Sequence, residues 1–273
     1  MKFRNIFAAA LAAVSLAAIT SAQTMEPATA KQTLVDLLPA SSAVATINVQ
    51  KGLNDALPKL LVGNPQLKAE IDKGSAILTS KAGSDVLKFD YLVVGIGTEN
   101  VSNGQPKILP VFIARGDVNA AQVIAEASRS SKTPCAERIV SEKTIYVCRF
   151  EVPVKEAAKA VGSSAAVPDN VTQETAFVAL DPNTLAFGAT SRVVETVEHQ
   201  TSVNPTLKSL LKNAPTTVAA FAMENIDGLG KFIPLENDDL GNTLKNLRFM
   251  AGSADSVNDG FVFSALFRSV DSA

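Results

Sequence analysis

The sequence predicts an α+β fold, with antiparallel sheets covered by helices on one face and an internally duplicated β-α-β-β unit. Three observations predict it. Extended runs outnumber helical ones, most of them meet through short turns that suit antiparallel hairpins, and a strand followed by a helical stretch and a hairpin occurs near both ends of the chain. A doubly wound nucleotide fold is disfavoured, because few strands are joined by helical crossovers and no phosphate-cradling loop opens a helix.

Lys2 and Arg4 precede the apolar run Ile6 to Ile19 and the small-residue exit Thr20-Ser21-Ala22, the pattern of a secretory signal peptide over residues 1–22. The run is about 14 residues, short of the ~20 that a helix needs to cross ~30 Å of hydrocarbon. No second apolar stretch of that length follows, so no transmembrane segment is expected after cleavage. A mature chain beginning at Gln23 would be secreted or periplasmic. Residues 23–33, with Pro27 and small polar side chains, read as a flexible lead-in.

The N-terminal α+β half is expected over residues 34–154. Val44 to Val49 is β-branched enough for a strand, and Leu53, Leu57, Leu60 and Leu61 follow at helical spacing, with Pro58 expected to kink or split that helix. A second amphipathic stretch from Pro65 to about Leu78 places Leu67, Ile71 and Ile77 or Leu78 on one face. Phe89 to Thr98 and Ile108 to Arg115 then alternate as strands, joined through Asn103-Gly104, a pair that tolerates positive φ. Asp117 is placed to cap a helix bearing Val118, Ala121, Val123, Ile124 and Ala127. A hairpin joins Cys135–Val140 to Thr144–Phe150.

Residues 155–170, rich in Ala, Ser and Gly and carrying Pro168, read as a linker. The C-terminal half, 171–273, opens on a hairpin from Ala176–Leu180 to Leu185–Ala189 through Asp181-Pro182-Asn183-Thr184. Ser191 is then expected to cap a helix with Val193, Val194 and Val197, and Pro205 to open another with Leu207, Leu210 and Leu211. The strand Val218 to Met223 echoes Val44 to Val49, and the hairpin at Asp259-Gly260 echoes the one at Asn103-Gly104. The two echoes predict a partial repeat whose second crossover is shorter by about 18 residues.

Composition excludes several partners. The formal charge is −2 with 25 basic and 27 acidic residues, and loss of Lys2 and Arg4 makes the chain more acidic, so nothing draws nucleic acid or an anionic membrane. No cofactor or metal is expected. Glu236, Asp238 and Asp239 cluster before Gly241 but lack the ligand spacing of a calcium loop, and zinc needs more than one histidine and two cysteines. Gly95-Ile96-Gly97 lacks the third glycine of a dinucleotide fingerprint and lies in a strand that enters a hairpin, so strand packing is the better reading. His199 falls late in the Ser191 helix beside Glu195 and Glu198, where the helix dipole favours it, and no nucleophile motif accompanies it.

Cys135 and Cys148 flank a hairpin centred on Ser141-Glu142 in matching register, and an exported compartment permits oxidation. A structural disulfide is expected between them if the pair is not hydrogen-bonded.

The segments Leu37 to Val49, Asp90-Tyr91-Leu92-Val93-Val94-Gly95 and Thr184-Leu185-Ala186-Phe187-Gly188-Ala189 resemble exported bacterial proteins of unknown function, notably ones from acidobacteria. The resemblance spans most of the mature chain and rests on strands and turns, so it implies fold and compartment and carries no catalytic residue. The residues favour a non-catalytic binding or structural protein of the cell envelope or extracellular space, whose partner is an unknown protein, an apolar ligand or a cell-surface component. The alternative is a secreted hydrolase with a site built from scattered Ser, Asp and Glu. Convergence of His199 or the Glu236 to Asp239 cluster with hydroxyls in a cleft would favour the enzyme.

Overall fold

The computed structural model describes residues 33–62, 64–66, 68–69, 71–72, 88–100, 106–152, 171–199, 201–212, 217–224, 247–258 and 260–269. The leader, the linker 155–170, the Asn103-Gly104 turn, Asp259 and the Glu236 to Asp239 cluster lie outside them. The described strands form one ten-stranded sheet whose neighbouring strands all run antiparallel. In chain order they are β1 (Ala43–Asn48), β2 (Phe89–Asn100), β3 (Pro106–Gly116), β4 (Ala136–Val140), β5 (Lys143–Val152), β6 (Val171–Asp181), β7 (Thr184–Gly188), β8 (Ala219–Glu224), β9 (Leu247–Val257) and β10 (Gly260–Ser269). Across the sheet the order is β10-β9-β8-β1-β2-β3-β7-β6-β5-β4.

This order sets β1-β2-β3 and β8-β9-β10 on opposite sides of the β1/β8 pair, each triplet a single strand followed by a hairpin. Val218 to Met223, expected as a strand, falls on β8. The fold is α+β as expected, with a single sheet in place of several and strands from both halves interleaved within it.

Among the described residues four helices lie between or after the strands and pack on the sheet. The first, α1, is composite: Val49–Lys51 is α-helical, Gly52–Ala56 widens to a π turn, and Leu57–Leu61 is α-helical again. The π turn explains how the helix survives Pro58, because a wider turn relieves the contact between the proline ring and the carbonyl four residues back. Leu53, Leu57 and Ile71 form a small apolar cluster there.

The second helix, α2 (Ala120–Arg129), is capped by Asn119, whose side chain accepts from the Gln122 N–H; Asp117, the expected cap, lies two residues too early. The third, α3 (Thr190–Glu198), is capped by Ala189 with no side-chain hydrogen bond, two residues ahead of the expected cap Ser191. The fourth, α4, spans Pro205–Lys212, and the Asn204 side chain accepts from the Thr206 N–H.

Helices cover both faces of the sheet, which corrects the one-face expectation. Alternate strand residues divide between two cores. Val93, Val111, Ile113, Val178 and Ala186 join Val193, Val197, Leu207 and Leu211 of α3 and α4, together with Leu34 and Leu38 of the segment before β1. Ala114 and Leu185 point the other way, to Val123 and Ile124 of α2. Full burial of side chains such as Leu34, Leu38 and Leu207 is worth about 1.5–3 kcal/mol each.

Candidate functional site

Strand register organises the α2 face of the sheet into rows. One row crosses all ten strands: Ala265, Gly252, Phe221, Ala45, Val94, Phe112, Phe187, Phe177, Tyr146 and Glu137 are successive register partners. A parallel row holds Phe267, Met250, Met223, Ala43, Ile96 and Pro110. Another holds Phe263, Ala254, Ala219, Ile47, Leu92, Ala114 and Leu185. Charge enters these rows only at Glu137.

Under α2 this face is closed, whereas over β9, β8, β1 and β2 the side chains of Met250, Met223, Ala43, Ala45, Val94 and Ile96 are half-buried and the Phe221 ring is exposed. Aromatic rings continue the surface: Phe112 stacks on Phe187 at 5.0 Å between centroids, Phe187 on Phe177 at 6.1 Å, and Phe150 meets Phe177 edge-on at 5.9 Å.

Cys135 and Cys148 form a disulfide with Cα atoms 4.4 Å apart. The β4/β5 register pairs Ala136 with Val147 and Val140 with Lys143, so the expected alignment of the cysteines holds. Ser141 and Glu142 both take positive φ, 43° and 66°, as a two-residue hairpin loop of type I′ requires. Counting the alternation outward from the closing pair makes Cys135 opposite Cys148 a non-hydrogen-bonded position, whose close approach suits a bridge. Ser128 Oγ on α2 lies 3.9 Å from Cys148 Sγ. A groove of about 730 Å³ opens between α2 and this hairpin, with Ile124, Tyr146 and the disulfide in its wall and Glu137, Glu142 and Lys143 at its rim. Lys143 Nζ donates to the Leu180 carbonyl, so the lysine is held by the sheet.

On the opposite face a buried arginine fastens the chain entering β1. Arg192, 6% exposed, donates from Nη2 to the Ala40 carbonyl at 2.5 Å and to Ser41 Oγ at 2.9 Å, and from Nη1 to the Glu195 carboxylate. Burial pulls the guanidinium pKa down and the Glu195 charge opposes that shift. Its Nε and the hydroxyl of Thr46 are buried without a hydrogen-bond partner among the described residues.

Gly95 and Gly97 serve this junction. A Cβ at Gly95 would lie 2.7 Å from Ser41 Oγ, and one at Gly97 would lie 2.8 Å from Arg192 Nε. Their role is close packing, as the strand reading expected.

His199 is the C-cap of α3 in a left-handed conformation, φ 52°, with its N–H bonded to the Glu195 carbonyl. It makes no side-chain hydrogen bond among the described residues. Asp181 is held below the ordinary aspartate range: burial pushes it up, but hydrogen bonds from Thr184 and the Asn183 N–H, together with Arg115, outweigh that. Asp90 is raised by desolvation and then by the charge of Asp117. Among the described residues no group of three or more His, Cys, Asp or Glu is placed to hold a metal ion.

Sequence reasoning missed Arg192 and the edge aromatics. Arg192 shares one helical face with Val193, Thr196 and Val197, all buried, so a charge on the apolar stripe of α3 was the available signal. Phe263 and Phe267 gave none, because strand periodicity does not say which strand ends at an edge.

No family model matches the chain, and no curated protein does. Among solved structures it is similar to crystal form I of TP0453, at 8% sequence identity and a TM-score of 0.42, over 88% of this chain and 79% of that one.

Proposed function

We propose that this is an exported, non-catalytic binding protein, secreted or periplasmic, whose half-buried sheet face receives an apolar molecule. The observation that carries the reading is the set of apolar register rows, in which Ala43, Val94, Ile96, Met223 and Met250 lie half-buried around the exposed Phe221 ring with no charged residue among them to take a polar ligand. The leader pattern at residues 1–22 supports export, and the Cys135–Cys148 disulfide is compatible with an oxidising compartment. No helix among the described residues is long and apolar enough to cross a membrane. The duplication of a β-α-β-β unit expected from the sequence is part of this proposal: the triplets β1-β2-β3 and β8-β9-β10 meet at the β1/β8 pair and set apolar rows on one face.

The alternative, a secreted hydrolase, requires a nucleophile, a base and a positioning group in one place, and the hydrogen bonds of His199 do not favour it.

Titration with an environment-sensitive apolar fluorophore tests the reading. The mature protein should bind it saturably, and Ile96→Lys, which sets a charge in the row, should weaken binding by about tenfold or more. Absence of saturable binding, or ester turnover that copurifies with the protein, would overturn it.

A further inference from the structure

β10 reads as an interior strand and lies at the edge of the sheet formed by the described strands. Its sequence, Gly-Phe-Val-Phe-Ser-Ala-Leu-Phe-Arg-Ser, is apolar on both faces and carries a single charge, as strands covered on both sides do. Yet Val262 is 49% exposed, Phe263 77%, Leu266 48% and Phe267 53%. The opposite edge is better protected: β4 has only five residues, with Glu137 and Arg138 exposed beside the exposed Ile139 and a disulfide at its start. β10 has ten residues, no proline, and no inward charge, and its one register irregularity falls at the last step, Arg268/Ser269.

From this contrast we infer that β10 pairs antiparallel with β10 of a second copy of this chain, joining two sheets into one about a twofold axis through Ala265. Exposed apolar groups on both faces call for an occupant that continues the sheet, since a membrane, a helix or a ligand would cover one face and leave the other wet. A twofold axis perpendicular to the sheet keeps each face on its own side, so partners in the new ladder must have the same parity.

With Ala265 on the axis, Phe263 of each copy meets Phe267 of the other, Ser264 meets Leu266, and Arg268 meets Val262. The two most exposed rings are paired twice, and no like charges oppose each other. The central row, from Glu137 through Phe112 and Phe221 to Ala265, then runs unbroken through both copies. Pairing shields the edge-facing part of the four exposed apolar side chains and the strand backbone, a small interface that suits a dimer in exchange with its monomer. An antiparallel ladder between the two strands would add directional backbone bonding to that area.

Sedimentation equilibrium of the full mature protein tests the inference, with the fold followed by circular dichroism. The wild type should be a dimer that dissociates on dilution. Ala265→Lys, which sets two ammonium groups face to face on the axis, should shift the dissociation constant by at least about tenfold while the spectrum stays the same, and Ser264→Lys serves as a second edge variant should the first misfold.

The protein has no free cysteine among the described residues, so Ala265→Cys introduces a lone thiol that should cross-link two copies under mild oxidation, whereas Ser264→Cys should not. A wild type that stays monomeric at every concentration, a dimer indifferent to both lysines, or a monomer that floats with lipid vesicles would each overturn the inference. A ligand on the sheet face is not required for any of these outcomes, so they are independent of the binding reading.

Discussion

The Arg192 guanidinium fills the space over Gly97 that a side chain would need: a Cβ there would stand 2.8 Å from Nε and 2.9 Å from Cζ. The arginine holds Ala40 and Ser41 from this position, while the Ser42 N–H bonds to the Ile96 carbonyl at 2.9 Å. Gly97→Ala should therefore destabilise the protein by about 1–3 kcal/mol through overpacking. In an Arg192→Met background the same substitution should cost clearly less, because the displaced group is smaller and uncharged. Urea unfolding of the four proteins of this double-mutant cycle measures the coupling, and additive effects would mean that the two residues do not share the site.

The disulfide is expected to stabilise modestly. It closes a loop of sequence separation 13, for which chain entropy sets a limit of about 3 kcal/mol, and β5 is also held by β6 along its other side. Replacing Cys135 and Cys148 together by Ala should lower the thermal midpoint without loss of the sheet spectrum. Collapse of the whole fold would show that the hairpin depends on the bridge.

Two aspartates should tune stability with opposite sign. Asp90 has its pKa raised in the folded state, so its charge disfavours the fold at neutral pH, and that penalty is relieved as pH falls through the raised value. Asp90→Asn should thus be more stable than wild type at pH 7, with the advantage vanishing in acid. Asp181 has its pKa lowered, so its contribution is complete above the ordinary aspartate value of about 4 and is lost as pH falls through the lowered one. Asp181→Asn should be less stable at neutral pH and converge on wild type in acid. Unfolding midpoints across this range give both signs, and parallel curves for either variant would contradict the assignment.

Local chemistry made much of the fold legible. The Cys135/Cys148 register followed from a two-residue loop, the β6/β7 turn from Pro182-Asn183, and α4 from Pro205 with Leu207, Leu210 and Leu211 at helical spacing. The cap of α2 was misplaced because Asp117 and Asn119 are both competent and only tertiary contacts choose; the Asp117 N–H is already bonded to the Lys88 carbonyl at 3.0 Å. The pairing of β3 with β7 and β1 with β8 was not legible, since alternation fixes which face a residue takes and says nothing about the neighbouring strand. That same gap concealed the candidate surface, whose rows arise from residues far apart in the chain.

Maturation gives a further check. Protein recovered from outside the cytoplasm should have an intact mass beginning at Gln23, as cleavage after Ala22 requires. A full-length chain extracted with the membrane would contradict export through a cleaved leader.

The binding reading is tested most directly by native mass spectrometry of the exported protein, released gently and sprayed without organic solvent. The account predicts a population carrying a noncovalent apolar molecule, recovered by solvent extraction and lost in Ile96→Lys at unchanged fold. A wild-type protein found at its bare polypeptide mass, with nothing in the extract, would contradict it.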